Sequence, residues 1–259
     1  MDSSIIYTID QSVAVIRLNR PDVFNSFNRE MSLAFQEALE RASADEAIRA
    51  VYITGTGKAF SAGQDLQEAV APDGPSLETI LSEHYSPIIL RIRSMEKPVV
   101  AAVNGVAAGA GANMALACDI VVASSNASFI QAFSKIGLVP DSSGTFFLPR
   151  LVGFQRSLAL MMTGDKVSAA EAFNMGMIYK VFSEESFQKE SMELTIKLAL
   201  MPTKGLALTK KVLNESMNNN LVQQLAAELK YQLEAGETYD FKEGVQAFIE
   251  KRPPIFLGK

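Results

Sequence analysis

The chain has 259 residues, of which 48% are hydrophobic, and its formal net charge at pH 7 is −5. This length and composition suffice for the core of one large domain, or of a domain with an extension. The negative charge argues against a nucleic-acid partner. The single cysteine, Cys118, excludes an internal disulfide framework and a cysteine-rich zinc site. With no membrane-spanning apolar run and no signal-like N-terminus, we expect a cytoplasmic protein without a membrane partner.

The first part of the chain predicts strands that alternate with helices. A β-hairpin is expected over residues 5–18, and Asn28 is suited to cap a helix with an apolar stripe. A strand at 51–54 follows. A helical pattern then covers 77–92, with a kink or break expected at Pro87.

The middle of the chain continues the alternation, whereas the last third changes character. We predict a strand at 99–103, a short helix at 111–118 and strands at 120–123 and 178–181, which together indicate a layered α/β core. Residues 185–251 are almost entirely helical in pattern. Two apolar stripes in that segment suggest packing against a neighbouring subunit. They comprise Val222, Leu225, Ala226, Leu229 and Leu233, and Phe241, Val245, Phe248 and Ile249.

Two glycine-containing turns each follow a predicted strand and precede a possible helix start. Residues 60–66 read Phe-Ser-Ala-Gly-Gln-Asp-Leu, and residues 104–111 read Asn-Gly-Val-Ala-Ala-Gly-Ala-Gly. A helix start offers unpaired N–H groups and the positive end of the helix dipole. Two such donors that converge on one point form an oxyanion hole, which stabilises negative charge on a carbonyl oxygen.

Several familiar sites do not fit. Met114 occupies the position of the third glycine in a dinucleotide-binding fingerprint, and residues 55–58 lack the remainder of a phosphate-binding loop. His84 is the only histidine and lies in a helix of core positions, which argues against a Ser-His-Asp triad. A Ser-Lys hydrolase that uses Lys58 or Lys135 stays open.

The carboxylates are sparse around the second turn. Between residues 99 and 150 the only acids are Asp119 and Asp141. Asp119 lies between a helix and a strand, where a structural role is favoured. Asp141 lies between hydrophobic segments just before a predicted helix, so it is either a helix N-cap or a proton-transfer group with a pKa raised by burial.

These segments carry a family resemblance that covers essentially the whole chain. Residues 60–66, 103–111 and 118–120 resemble the signatures of the crotonase, or enoyl-CoA hydratase/isomerase, superfamily, as does 17–21 followed by Asn25. The resemblance implies an α/β fold with a spiral of ββα units, and acyl-CoA substrates. It implies no metal and no cofactor beyond the coenzyme A of the substrate.

The same resemblance implies how the chain is divided and assembled. A spiral core would occupy residues 1–195, and a helical oligomerisation region would occupy 196–259. The expected assembly is a homotrimer or a dimer of trimers.

The resemblance also implies the binding residues. The N–H groups of Gln64 and Ala110 would form the oxyanion hole. Ser61, Ala62, Asp65 and Leu66 would contact the coenzyme A portion, and Arg20 and Lys251 are candidates for its phosphates.

The catalytic positions narrow the expected reaction. Hydratases of the superfamily use two glutamates, and the corresponding positions hold Asn113 and Phe133, which cannot transfer a proton to or from water. Asp141 fills a third acidic position of the superfamily. This pattern resembles the isomerases that convert ring-1,2-epoxyphenylacetyl-CoA to oxepin-CoA in phenylacetate degradation, although Ser143 replaces their usual glycine. We therefore expect one aspartate as acid/base and an amide at Asn113 that binds a migrating oxygen or a water.

Phe133, Phe129 and Met114 are candidates for the acyl pocket. The main alternative is a Δ3,Δ2-enoyl-CoA isomerase of fatty acyl chains, because it needs the same single carboxylate. An enoyl-CoA hydratase, an RNA-binding relative and a catalytically inactive partner subunit are less favoured, the last because Asp141 is retained.

Overall fold

Strands in two sheets alternate along the chain in the computed structural model, which describes residues 3–259. Residues 1 and 2 of the predicted core lie outside the described residues. The strands are β1 Ile5–Asp10, β2 Val13–Leu18, β3 Ala50–Gly55, β4 Ala59–Ser61, β5 Val99–Val103, β6 Val106–Ala108, β7 Ile120–Ser124, β8 Ser128–Ile130, β9 Lys166–Ser168 and β10 Lys180–Phe182.

The strand order explains how the two sheets are connected. The larger sheet runs β1-β2-β3-β5-β7-β10, with an antiparallel β1–β2 hairpin and parallel neighbours after it. The smaller sheet runs β4-β6-β8-β9. Each pair β3/β4, β5/β6 and β7/β8 therefore adds one strand to each sheet before a helix returns the chain. The result is the expected spiral of ββα units.

Helices cover the sheets and form the C-terminal third. The α-helices are α1 Arg29–Ala44, α2 Leu66–Ala69, α3 Leu77–Thr79, α4 Ser86–Ser94, α5 Ala110–Leu116, α6 Gly144–Val152, α7 Phe154–Thr163, α8 Ala169–Asn174, α9 Phe187–Ala199, α10 Thr203–Ser216, α11 Leu221–Gly236 and α12 Tyr239–Glu250. Shorter 3₁₀ turns occupy Pro21–Val23 and Ala132–Ile136. Within residues 3–259, no helix combines the length and the apolar character that crossing a membrane requires.

Local sequence signals account for several of these boundaries. The Asn28 side chain accepts a hydrogen bond from the Met31 N–H at 3.0 Å and begins α1, as predicted. The break expected at Pro87 is absent, because the chain stays helical from α3 to α4 through a π-helical segment, Ile80–Tyr85. Pro87 therefore lies inside a continuous helix, and the Glu83 carbonyl oxygen, four residues before it, accepts a hydrogen bond from Gln36 Nε2 at 2.7 Å.

The predicted boundary at residue 195 falls inside α9, which packs on the larger sheet. Phe187 and Ala199 are buried beside Val13 and Tyr52 of that sheet. In contrast, the predicted apolar stripes of α11 and α12 are exposed in the single chain. Their exposed members include Val222, Leu225, Leu229, Leu233, Phe241, Val245, Phe248 and Ile249.

Two asparagines hold the connection between β3 and β4. The fully buried Asn25 side chain donates to the carbonyl oxygens of Thr56 and Ala59 at 2.9 and 2.8 Å and accepts from the Arg20 N–H at 2.8 Å. From the other side, Asn104 accepts from the Gly55 N–H at 2.9 Å. These bonds fix the segment that leads into the first glycine-containing turn.

Asn25→Ala should lower the free energy of unfolding by about 3 kcal/mol, because it leaves several buried backbone groups without partners. Urea denaturation at a fixed protein concentration measures the loss. Asn28→Ala is the matched control, since it removes one helix cap and should cost only about 1 kcal/mol. Equal losses in the two variants would contradict the role assigned to Asn25.

Candidate active site

The two glycine-containing turns lie against each other. Gly63 has a positive φ of +89°, which favours glycine. A Cβ atom at Gly63 would lie 2.9 Å from the Ala108 carbonyl oxygen and 3.2 Å from the Ala110 nitrogen. Only glycine therefore allows the first turn to approach the second this closely.

Two backbone N–H groups at this contact are unpaired within residues 3–259. They belong to Gln64 and Ala110, whereas the next N–H, that of Asp65, donates to the Phe27 carbonyl oxygen at 2.9 Å. Gln64 and Ala110 both line one cavity. Two free donors beside a cavity can bind one oxygen atom that carries negative charge.

The cavity has a volume of about 360 Å³ and a mostly apolar wall. Asp141 is the only carboxylate among its described lining residues. The apolar side chains come from α2, from the helical segment that follows Leu77, and from the segment between β8 and α6. They are Leu66, Leu77, Ile80, Leu81, Phe133, Ile136, Leu138 and Val139.

Asp141 has the environment expected of a proton-transfer group. Burial raises its pKa from 3.8 to about 6, while a hydrogen bond from the Ser142 hydroxyl to Oδ1, at 2.9 Å, acts in the opposite direction. Its side chain does not cap α6. The N–H of Gly144, the first residue of α6, is taken by the main-chain oxygen of Asp141 at 2.9 Å. The N-cap interpretation therefore fails, and the carboxylate remains at the cavity wall.

Asn113 lies behind the cavity wall. It is fully buried, its Nδ2 donates to the main-chain oxygen of Asp141 at 2.8 Å, and its Oδ1 accepts from Gln131 Nε2 at 2.8 Å. Asn113 is not among the described residues that line the cavity. The structure thus assigns it the positioning of the Asp141 segment instead of the expected contact with a migrating oxygen.

Ser61 and Asp65 also support the site from behind. The fully buried Ser61 hydroxyl donates to the Asn25 carbonyl oxygen at 2.8 Å and accepts from the Gly63 N–H at 3.1 Å. Asp65 caps α2 by accepting from the Gln67 N–H at 3.2 Å. Both side chains hold the first turn in place, and the expected contact of Ser61 and Asp65 with coenzyme A stays a prediction.

The remaining predicted binding residues divide into two groups. Ala62 and Leu66 line the cavity. Arg20 forms an ion pair with Asp65 at 2.9 Å, and its contact with coenzyme A stays a prediction. Lys251 is exposed at the C-terminal end of α12 and is not among the described residues that line the cavity.

The three candidates for the acyl pocket occupy different places. Phe133 lines the cavity, as expected. Met114 borders a small internal void of about 10 Å³ in the hydrophobic core, and Phe129 is buried in the same core. Core packing therefore explains Met114 and Phe129.

Tyr85 is a site residue that sequence reasoning missed. Tyr85 lines the cavity, and its hydroxyl donates to the Gln64 side-chain oxygen at 2.5 Å. Burial, together with the negative charges of Asp141, Glu68 and Asp65, raises the pKa of Tyr85 well above its usual value of 10. Its position in an apolar helical stripe is typical of core packing. A buried tyrosine hydroxyl nevertheless needs a partner, which is the one signal available from the sequence.

Other reactive side chains lie elsewhere. Lys58 and Lys135 are exposed and outside the described cavity lining, which gives the Ser-Lys alternative no support there. Cys118 is buried, and burial raises its pKa to about 12, in keeping with an inert thiol. Asp119 accepts a hydrogen bond from the Val99 N–H at 2.9 Å and pairs with Lys210 at 2.8 Å, which confirms the structural role. No group of three or more potential metal ligands occurs in the described chain.

The chain is similar to known proteins over nearly its whole length. Residues 8–259 match the sequence model of the enoyl-CoA hydratase/isomerase family. Over 256 residues the chain is 45% identical to a probable enoyl-CoA hydratase of Rhodobacter capsulatus, covering 99% of this chain and 98% of that one. It is 43% identical over 258 residues to the 1,2-epoxyphenylacetyl-CoA isomerase of Escherichia coli K12, covering 98% of each.

Among solved structures, the enoyl-CoA hydratase of Bacillus anthracis matches with a TM-score of 0.92 and 31% identity, covering 99% of this chain and 100% of that one. Sequence motifs, topology and these matches lead to one conclusion: the chain belongs to the enoyl-CoA hydratase/isomerase family, with the crotonase fold.

Proposed function

We propose that the chain is an isomerase of acyl-CoA thioesters whose preferred substrate is ring-1,2-epoxyphenylacetyl-CoA. One observation carries the proposal: a single carboxylate with a raised pKa shares an apolar cavity with two unpaired backbone N–H groups. This is the minimum set for forming and quenching an enolate, since one group moves the proton and the other two stabilise the charge.

The mechanism starts with the thioester oxygen bound by the N–H groups of Gln64 and Ala110. Asp141, ionised, takes a proton from C2, and the electron pair of the broken C–H bond moves onto the thioester as an enolate. Each oxyanion donor contributes about 3 kcal/mol of barrier lowering in comparable enzymes. In the epoxide substrate, the ring bond between the two epoxide carbons opens while both C–O bonds are kept, which gives the seven-membered oxepin ring. Protonated Asp141 then returns the proton to the ring carbon γ to the thioester. In a 3-enoyl substrate, protonated Asp141 returns the proton to C4, and the double bond moves to C2–C3.

Cavity size is compatible with an aromatic acyl group. An engineered apolar cavity of about 150 Å³ accommodates benzene, and this cavity has about 360 Å³. The 1,2-epoxyphenylacetyl-CoA isomerase named among the relatives supports the same choice. A straight 3-enoyl chain would also fit, so Δ3,Δ2-enoyl-CoA isomerisation is the second candidate within the same mechanism.

Hydration is a further candidate because the Rhodobacter relative is described as a probable hydratase. Addition of water needs a group that activates the water and a group that protonates the substrate. The positions at which family hydratases carry glutamates hold the buried amide of Asn113 and the ring of Phe133. With Asp141 as the one carboxylate in the described lining, the site is better suited to returning a proton than to adding water.

The proposed reaction needs no metal or redox cofactor, since coenzyme A enters as part of the substrate and leaves with the product. Arg20 and Lys251 remain candidates for its phosphates, and for Lys251 the contact would come from a neighbouring subunit. A cytoplasmic location is part of the same proposal.

The exposed apolar stripes of α11 and α12 support a homotrimer or a dimer of trimers. Leu225 is 56% exposed, Leu229 63% and Phe248 85% in the single chain. Apolar area of this extent on adjacent helices is typical of an interface between subunits.

A direct test compares the purified protein on epoxyphenylacetyl-CoA, a straight 3-enoyl-CoA and a 2-enoyl-CoA. We expect the highest kcat/KM on the epoxide and the lowest on the 2-enoyl substrate, whose hydration is followed by absorbance. A higher rate on the 2-enoyl substrate would contradict the isomerase proposal. Absence of C2 proton exchange in deuterated water would instead favour an inactive partner subunit.

Asp141→Asn should reduce kcat by about 10² to 10⁴, because it removes the only proposed acid/base and keeps the side-chain shape. Affinity for a non-reacting acyl-CoA should stay within about twofold, as measured by calorimetry. Asp119→Asn is the matched control outside the cavity. It should change thermal stability, with kcat of the folded protein retained. An Asp141→Asn variant with full activity would eliminate Asp141 as the base.

The pH profile should report the burial of Asp141. Its pKa is about 6, so kcat/KM should fall as the pH drops through that value and the base becomes protonated. Ser142→Ala removes a hydrogen bond that stabilises the carboxylate, so the pKa should rise further and the acidic limb of the profile should move to higher pH. A limb that stays in place would show that another group controls it.

Leu225→Lys combined with Leu229→Lys should break the assembly, because lysines would be buried without partners at the proposed interface. Light scattering after gel filtration should give three or six times the 28.1 kDa of one chain for the unaltered protein and a smaller mass for the variant. Leu90→Lys is the control, as Leu90 is 66% exposed on α4, outside the two stripes. A single-chain mass for the unaltered protein would refute the assembly.

A further inference from the structure

We propose that Tyr85 is a positioning residue, whose hydroxyl holds Gln64 so that the Gln64 N–H points into the cavity. The inference rests on the proposed function and adds to it a residue that neither the family motifs nor the catalytic positions identified. Tyr85 is 1% exposed and donates to the Gln64 side-chain oxygen at 2.5 Å, across 21 residues of sequence.

Phe27 connects the two residues from the other side. The Phe27 N–H donates to the Gly63 carbonyl oxygen at 2.7 Å, and its carbonyl oxygen accepts from the Asp65 N–H at 2.9 Å. Its ring packs edge-on against Tyr85, with centroids 6.3 Å apart and an interplanar angle of 87°. The main chain of Phe27 therefore bonds to the peptide groups on both sides of Gln64, while the Tyr85 hydroxyl bonds to the Gln64 side chain.

The Tyr85 hydroxyl belongs to the last residue of the π-helical segment Ile80–Tyr85. A π turn widens the helix by an extra residue, and such turns are frequent at functional sites. Here the consecutive residues His84 and Tyr85 are both 1% exposed. Tyr85 reaches the cavity, whereas His84 lies outside the described cavity lining.

Tyr85 acts only as a hydrogen-bond donor, because its hydroxyl stays protonated. Because burial and nearby carboxylates disfavour the phenolate, the hydroxyl remains a donor over the working pH range. It therefore holds the side-chain oxygen of Gln64 without competing with Asp141 for the substrate's proton. Loss of this bond would leave the Gln64 side chain with one long hydrogen bond, from Nε2 to the main-chain oxygen of Asp65 at 3.3 Å, and would loosen the turn that presents one of the two proposed oxyanion donors.

The experiment uses the full-length protein with Tyr85→Phe, which removes the hydroxyl and keeps the ring. We expect kcat to fall between about threefold and tenfold, the range of one buried neutral hydrogen bond, with KM changed by less than about twofold. Hydrogen exchange of the Gly63 and Asp65 amides, followed by mass spectrometry, should rise by a similar factor. Tyr52→Phe is the control, since its equally buried hydroxyl contacts Ser191 at 2.9 Å, outside the described cavity lining, and should alter neither quantity.

A double-mutant cycle with Gln64→Leu tests the route of the effect. If Tyr85 acts through the Gln64 side chain, Tyr85→Phe should cause no further loss in that background; an undiminished loss would overturn the proposal. Unchanged kcat and unchanged exchange in the single variant would overturn it as well. If the unaltered protein lacks isomerase activity while exchange still rises in Tyr85→Phe, the proposed function fails and the positioning of the turn stands.

Discussion

The hydrogen bond from Asn113 to the main chain at Asp141 connects the two halves of the candidate site. Asn113 lies three residues after Ala110 on α5, about one helical turn away, so one helix joins the proposed oxyanion donor to the amide that holds the Asp141 segment. Gln131 fixes the other end of the same amide. Because Asn113 is fully buried, its loss would leave polar groups of two segments without partners. The distance between the proposed acid and the proposed oxyanion donors therefore depends on packing behind the cavity rather than on contacts within it.

The apolar wall of the cavity raises the pKa of Asp141, and it also raises the free energy of the ionised carboxylate. A rise in the pKa of Asp141 from 3.8 to about 6 corresponds to on the order of 3 kcal/mol against the ionised form. Since the folded pKa lies above the unfolded value, this contribution favours the fold at low pH and is lost as the pH rises through about 6. The ionised carboxylate is in turn a stronger base than an exposed aspartate. The packing of the rest of the core offsets this unfavourable free energy, and such shifted pKa values are common at catalytic sites.

The sequence predicted the features that depend on neighbouring residues and missed those that depend on distant ones. The helix cap at Asn28, the hairpin and the glycine-containing turns are local, and they occur where expected. The contacts of Asn113 with Asp141 and of Arg20 with Asp65 join residues 28 and 45 positions apart, with no local signal for either pairing. The contact of Tyr85 with Gln64 could not be predicted from the sequence for a related reason. An apolar helical stripe does not reveal a π turn, which depends on how the helix packs.

The geometry also revises the physical basis of the proposed oxyanion hole. The sequence suggested two helix dipoles, but Gln64 lies outside a helix, because α2 begins at Leu66 and is capped by Asp65. The helix at Ala110 has only seven residues, and its start is shaped by Gly109, with φ +52° and ψ −127°. Dipole effects act mainly within the first turn and are modest. In the proposed mechanism, two unpaired N–H groups held at one contact between turns are therefore a stronger source of stabilisation than the dipoles. Their effect depends on the backbone geometry that Gly63 permits and that Phe27 maintains.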